Sequence, residues 1–365
     1  MTGPALRCAQ CAISLHSDMT TLACPECARP LEVDYPGHDY GSAVSPMPAT
    51  RQYLDATTLG EGNTPIVSLP SIGSQLGLES LGAKLEYINP TGSFKDRGTA
   101  VVLAMALQQG VSEVVEDSSG NAGASVSAYA GRAGMEAHIF APSSAPQAKL
   151  RQIVAYGAQV HSIPGPREAT TAAAVDYATE HSLVYASHVL SPYFVEGTKL
   201  FAYEVFRQTA GHLPQDIIMP VGNGSLLLGA LKGFTELKRG GHIAEIPRLH
   251  AVQARNVMPI AAAYWGLDGT PPTAGTVAGG IAVGTPARLE EIVAAIKTTG
   301  GTATAVEEND ILTWRDTLAQ TEGVYAEPTS AAAFAGLARL AEKGIIQPDA
   351  SVLVPITGFG LKDTG

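Results

Sequence analysis

The sequence predicts an α/β architecture of two domains with largely parallel sheets, preceded by a small cysteine-bearing ribbon. Three observations carry this expectation. From about residue 50, short apolar runs alternate with amphipathic segments of helical length, the rhythm of strands joined by right-handed helical crossovers. Glycines stop successive helical segments at Gly110, Gly134 and Gly157, where a left-handed residue closes a helix. All four cysteines fall within the first 27 of 365 residues, apart from the alternating region.

The cysteines come first in chain order. Cys8 and Cys11 form one C-x2-C pair, Cys24 and Cys27 a second, and twelve residues separate the pairs. Such pairs supply four thiolates to a tetrahedral zinc ion, and with no position left open the site reads as structural. The alternatives are a redox dithiol or two disulfides. A reducing compartment disfavours disulfides, and one pair suffices for redox work. Roughly 30 residues bury little core, so a metal would hold this segment together. Tyr35–Pro48, rich in Pro, Gly and Ser, reads as a linker. The alternation then predicts a strand over 81–87, a helix over 99–109, a strand over 112–116 and a helix over 122–133. It continues with a strand over 137–141, a helix over 146–156, a strand over 160–163 and a helix over 168–181. A second series runs through a strand at 217–220, a helix at 226–239, a strand at 248–253 and a segment at 257–265. A helix at 329–343 and a strand at 351–355 close it.

Composition narrows the function. With 45% hydrophobic residues the chain has ample material for a core, which excludes a disordered chain. A net charge of −11 disfavours a nucleic-acid partner. No apolar run is long enough for a membrane span, and Met1–Cys8 lacks the basic and apolar regions of a signal peptide, so a cytoplasmic protein is expected.

Ligands of open parallel sheets bind beyond the carboxyl ends of the strands, and four such ends here are polar and glycine-rich. In Pro90–Gly98, Lys95 follows a Gly-Ser turn and opens a helix. The helix N-terminus and Arg97 disfavour a second positive charge there, which suits an imine-forming amine; alone it could be a surface lysine. In Asp117–Gly123, backbone amides and the side chain of Asn121 converge between a strand and a helix, able to hold a carboxylate or a ring hydroxyl, or simply to form a capped turn. In Pro220–Ser225, glycines let successive amides point at one anion at a helix N-terminus, a phosphate signal or a tight turn. It matches neither the Walker loop nor the dinucleotide fingerprint. In Pro355–Asp363, the hydroxyl of Thr357 follows a buried strand. Together these supply an amine, a hydroxyl clamp, a phosphate cup and a neutral hydroxyl, the handles of pyridoxal 5'-phosphate (PLP).

The ordered set Ser93-Phe94-Lys95-Asp96-Arg97, Ser118-Ser119-Gly120-Asn121, Gly222-Asn223-Gly224-Ser225 and Thr357–Asp363 resembles the threonine synthase family, PLP enzymes of the tryptophan-synthase-β fold (fold type II). Val195–Lys199 and Glu327–Ala331 add to the match, and part of that family carries an N-terminal zinc ribbon. The resemblance implies a ribbon over 1–34, a large PLP domain from 35–98 and 191–365, and a smaller inserted domain over 99–190. It implies that Lys95 carries the cofactor as a Schiff base and shuttles protons. Asn121 bonds the ring hydroxyl, Gly222, Asn223, Gly224 and Ser225 cup the phosphate, and Thr357 faces the pyridine nitrogen. Ser118, Ser119 and Gly120 receive the carboxylate of a small amino-acid substrate. The family also implies a homodimer. A neutral hydroxyl at the pyridine nitrogen favours elimination or replacement at the β or γ carbon over transamination.

The match departs from the family at two substrate positions. Phe194 stands where the family has an arginine for the phosphate of O-phosphohomoserine, and Ala122 stands where it often has a threonine. A dianion without its arginine loses a strong charge-assisted interaction. Lys149, Arg151 or Lys199 could take over, or Phe194 and Ala122 could line a pocket for a less charged substrate. The expected activity is therefore that of a threonine synthase. The alternative is PLP-dependent β-elimination or β-replacement on a serine- or threonine-like amino acid.

Overall fold

The computed structural model describes residues 5–36, 38–40, 51–267 and 274–362, so most of the expected linker at 35–48, like the chain's first four residues, lies outside the described residues. The chain divides into two compact units. The first holds Met1–Glu61, Asn89–Thr91 and Lys95–Leu200; the second holds Gly62–Ile88, Gly92–Phe94 and Phe201–Gly365.

In the first unit, the cysteine segment is a three-stranded antiparallel ribbon with Ala5–Arg7 between Ser14–His16 and Glu32–Asp34. Leu6 and Leu31 are fully buried and join one apolar cluster with Val102, Tyr129, Tyr193 and Phe194. Each contributes on the order of 1.5–3 kcal/mol, so apolar burial fastens the ribbon to its unit. The main sheet is four-stranded and parallel, in the order Gln159–Ile163, Glu136–Pro142, Glu113–Glu116, Val184–Tyr185. The helices Lys95–Gln108, Asn121–Ala133, Gln147–Ala155 and Arg167–Glu180 accompany it. The expected helix stop at Gly134 is observed, with φ at 71°.

The second unit holds a six-stranded sheet in the order Ala303–Val306, Arg248–Ala254, Asp216–Pro220, Ser351–Pro355, Ser80–Lys84, Ile66–Ser68. Every neighbour is parallel except Ile66–Ser68, which runs antiparallel at the edge. Asp216–Pro220 is buried along its whole length, as expected of a central strand covered on both faces. It and its parallel neighbour Ser351–Pro355 deliver two of the polar segments, one after Pro220 and one after Pro355. The predicted strand over 81–87 is corrected: the strand ends at Lys84, and Glu86–Ile88 forms a single 3₁₀ turn. Among the described residues no helix is long and apolar enough to cross a membrane.

Candidate active site

Lys95 is the first residue of the helix Lys95–Gln108, at the end of a loop braced from within. The buried Asp96 carboxylate accepts from the Thr91 amide at 2.7 Å, the Thr91 hydroxyl at 2.6 Å and the Ser125 hydroxyl at 2.7 Å. Gln152 Nε2 donates to the Thr91 carbonyl at 3.0 Å. The Lys95 amine lies 5.5 Å from the centroid of the Phe194 ring, within cation–π range. Phe194 is 1% exposed. It sits on the helix Pro192–Thr198, which crosses the lysine's helix at two glycines. A Cβ on Gly98 would lie 2.6 Å from the Phe194 ring, and one on Gly197 would lie 1.9 Å from the Arg97 carbonyl oxygen. The position expected to hold an arginine is thus an apolar ring against the lysine. Of the cations that could take over, Lys199 is buried and ion-paired to Glu196 at 2.6 Å.

The loop after Glu113–Glu116 is shaped by its glycines. Ser118 Oγ accepts from the Gly120 amide at 3.2 Å, and Asn121 opens the next helix. A Cβ on Gly123 would lie 1.8 Å from the Ser118 carbonyl oxygen, so the turn requires glycine there. Ser118, Ser119, Gly120 and Asn121 are half-buried, whereas Ala122 is buried. This leaves one polar loop with its amides at a helix N-terminus, the arrangement suited to a carboxylate. Behind it lies a charged cluster that sequence reasoning missed. His188 Nδ1 and Glu116 Oε1 are 2.6 Å apart, and both side chains are buried. Asp117 pairs with Arg167 at 2.9 Å and accepts from the Thr171 hydroxyl at 2.5 Å. Burial and the neighbouring Asp117 push the Glu116 carboxyl well above the usual range. Burial and Lys95 push the His188 imidazole down to about 3. Both shifts disfavour the charged form of each partner. Glu116 Oε2 is buried without a hydrogen-bond partner among the described residues.

In the second unit, the segment after Pro220 turns at Gly222 and Gly224 into the helix Ser225–Arg239. A Cβ on Gly222 would lie 3.0 Å from both the Gly280 carbonyl oxygen and Val283 Cγ2. Gly224 has φ at 77°, and a Cβ there would lie 2.4 Å from Ile292. The helix's first amides have no carbonyl partner within the helix and can receive an anion. On the adjacent strand end, Thr357 Oγ1 lies 2.9 Å from Ser330 Oγ, which also accepts from the Gly358 amide at 3.2 Å. Ser93 bridges to Gly358, and its hydroxyl is buried without a hydrogen-bond partner among the described residues. That bridge holds the chain two residues before Lys95 beside Thr357. A glycine cradle at a helix N-terminus, a fixed hydroxyl and a buried one without a partner among the described residues fit a phosphate-bearing cofactor with a polar ring.

The four cysteines belong to the ribbon of the first unit. Their sulfurs come within 4.8 Å of one another, a group that could hold a metal ion. The two C-x2-C turns match each other. Ala12 and Ala28 share φ of 56°, and their amides donate to the Cys8 and Cys24 carbonyls at 3.0 and 2.8 Å. The Cys11 amide, 3.4 Å from Cys8 Sγ, is the main cause holding that thiol down to about 7.

Sequence comparison matches residues 57–358 to the family of pyridoxal-phosphate dependent enzymes. The threonine synthase of Methanosarcina acetivorans is 32% identical, over 98% of this chain and 92% of its own. That of Methanocaldococcus jannaschii is 33% identical over the same shares, and that of a Bacillus species 36% identical over 88% of each. Among solved structures, maize serine racemase superposes with a TM-score of 0.73 at 22% identity, covering 85% of this chain and 92% of its own. Threonine deaminase isoform 2 of Solanum lycopersicum superposes at 0.71 and 19%, covering 85% and 89%.

Proposed function

This chain belongs to the pyridoxal-phosphate dependent enzymes, in the threonine synthase family, and from that membership we infer that it converts O-phosphohomoserine and water to threonine and phosphate. The observation that carries the reading is identity of 32–36% with threonine synthases over most of the chain. The retention of Lys95, Asn121, Gly222–Ser225 and Thr357 in the geometry above supports it. When bound, PLP supplies the electron sink that stabilises negative charge at the substrate α-carbon. Lys95 would hold the cofactor through its side-chain amine and would move protons on and off the substrate carbons. Asn121 donates to the ring hydroxyl. The amides of Gly222–Ser225 hold the cofactor phosphate, and Thr357, fixed by Ser330, meets the pyridine nitrogen. Ser118, Ser119 and Gly120 orient the substrate carboxylate. Cys8, Cys11, Cys24 and Cys27 hold a structural zinc ion. A homodimer in the cytoplasm completes the proposal, supported by the family resemblance.

A second reading is favoured by the buried, apolar Phe194 beside Lys95 and by Ala122. It is β-elimination or β-replacement on a serine- or threonine-like amino acid, which needs no cation for a second phosphate. One assay separates the two. Purified enzyme with PLP is mixed with O-phosphohomoserine, and free phosphate and threonine are followed together. Equal release of both at useful turnover is expected of the first reading. Neither product, with serine or threonine consumed when supplied in place of O-phosphohomoserine, selects the second.

A further inference from the structure

The cysteine ribbon grips the helix that faces the lysine. Tyr193, buried on the helix Pro192–Thr198, donates its phenolic proton to the Asp18 carbonyl at 3.0 Å and lies 2.6 Å from Ser17 Oγ, from which it accepts. Ser17 and Asp18 belong to the loop between the two cysteine pairs. That loop is stiffened by Asp18 Oδ1, which accepts from the Thr20 and Thr21 amides at 2.8 and 2.6 Å. One turn along the helix, Glu196 Oε2 accepts from the Tyr35 hydroxyl at 2.9 Å and from Lys199 Nζ at 2.6 Å. Tyr35 directly follows the last ribbon strand, and Lys199 Nζ lies 4.9 Å from its ring centroid. The ribbon's central loop and the residue that follows its last strand thus hold Tyr193 and Glu196, on either side of Phe194.

The grip reaches the lysine because the helix has no slack on its other face. Gly197 packs against the Arg97 carbonyl closely enough to forbid a Cβ, and Phe194 lies against Gly98 with its ring toward the Lys95 amine. A shift of Tyr193 or Glu196 therefore moves Phe194, and with it the first turn of the lysine's helix. A ribbon serving stability alone would need only its apolar contacts. These polar side chains, buried at the helix, specify position as well.

We propose that the ribbon is a positioning element for the catalytic lysine: Ser17, Asp18 and Tyr35 fix Tyr193 and Glu196, and through Phe194 they set the place of Lys95. The state of the cysteine site is thereby linked to the reaction, because the four cysteines frame the loop that holds Tyr193. The inference rests on the reading of Lys95 as the cofactor lysine.

The test uses the full chain with PLP and zinc bound. Tyr193→Phe combined with Tyr35→Phe removes the phenolic hydrogen bonds and keeps the rings. The variant is expected to retain wild-type zinc and PLP stoichiometry. Its visible cofactor absorbance should titrate at a different pH, and kcat should fall about tenfold with a smaller change in KM. Ser17→Ala, a milder change at the same joint, should move the same readouts in the same direction. Removal of the metal from wild type by a chelator should reproduce the spectral change. An unaltered absorbance, titration midpoint and kcat in the double variant and in the metal-stripped chain would overturn the proposal. Lys95→Ala separates the premise: if that variant keeps the wild-type absorbance, the lysine assignment fails, whatever the ribbon variants do.

Discussion

At the scale of single residues, the most telling group near Lys95 is the buried Glu116–His188 pair. His188 is held down to about 3 from an ordinary value of 6.5, so the unfolded chain binds its proton as pH falls through that value and the folded chain does not until about 3. Stability is therefore lost between those limits as pH falls, by up to about 1.4 kcal/mol per pH unit. Glu116 acts in the opposite direction. Its raised folded value means the unfolded chain releases a proton above 4.5 that the folded chain keeps, so stability falls as pH rises from there. Urea unfolding of wild type, His188→Gln and Glu116→Gln at pH 5, 6, 7 and 8 should show the first variant gaining relative to wild type in acid and the second gaining in base. Parallel curves for all three would contradict the assignment. The glycines at the helix crossing give a second expectation. Gly197→Ala sets a Cβ against the Arg97 carbonyl and should cost about 3 kcal/mol or more, whereas Gly98→Ala meets a side chain and should cost about 1–3 kcal/mol. Thermal unfolding ranks the two, and coincident midpoints would mean that the Arg97 backbone yields as readily as the Phe194 ring. The Glu116–His188 pair itself was illegible in the sequence, because its members lie 72 residues apart and only the sheet brings them together.

At the scale of elements, the polar strand ends were legible because Gly, Ser, Asn and Lys at those points each carry local turn or cap chemistry. The cysteine pairs were legible from spacing alone. Three of the elements that escaped show why. Val184–Tyr185 has two residues, too few for a period. Glu308–Glu322 buries only Ile311 and Leu318, so its apolar stripe is thin. Pro192–Thr198 is buried on nearly every side, which erases amphipathicity. The strand read to residue 87 stops at Lys84 because Glu86–Ile88 turns as a 3₁₀ segment. The cup yields a prediction at this scale. Gly224 combines a left-handed φ of 77° with a Cβ position 2.4 Å from Ile292. Gly224→Ala must therefore distort the turn that presents the amides, costing about 1–2 kcal/mol. PLP affinity, measured by fluorescence titration of the apoenzyme, should weaken about tenfold or more. Wild-type affinity would mean that this turn does not hold the phosphate.

At the scale of the whole molecule, the chain divides into two units with separate cores. Lys95 and Asn121 belong to the first unit, Gly222–Ser225 and Thr357 to the second. Apolar clusters of the second unit, around Phe334 and Phe234, contain none of the ribbon residues. Each unit thus has the material for its own cooperative opening, with local free energies that a ligand raises only where it binds. A ligand that binds the folded form alone adds about 2.7 kcal/mol at a hundredfold excess over its Kd. If all four segments engage PLP, hydrogen exchange of the apoenzyme should slow on adding the cofactor in both 118–122 and 222–225, with amides around Thr357 following. Protection confined to 222–225 would mean that the glycine cup binds phosphate by itself and that Lys95 and Asn121 serve something else. Protection of both, abolished at 118–122 but kept at 222–225 by Lys95→Ala, would assign the covalent anchor to the first unit and the phosphate grip to the second.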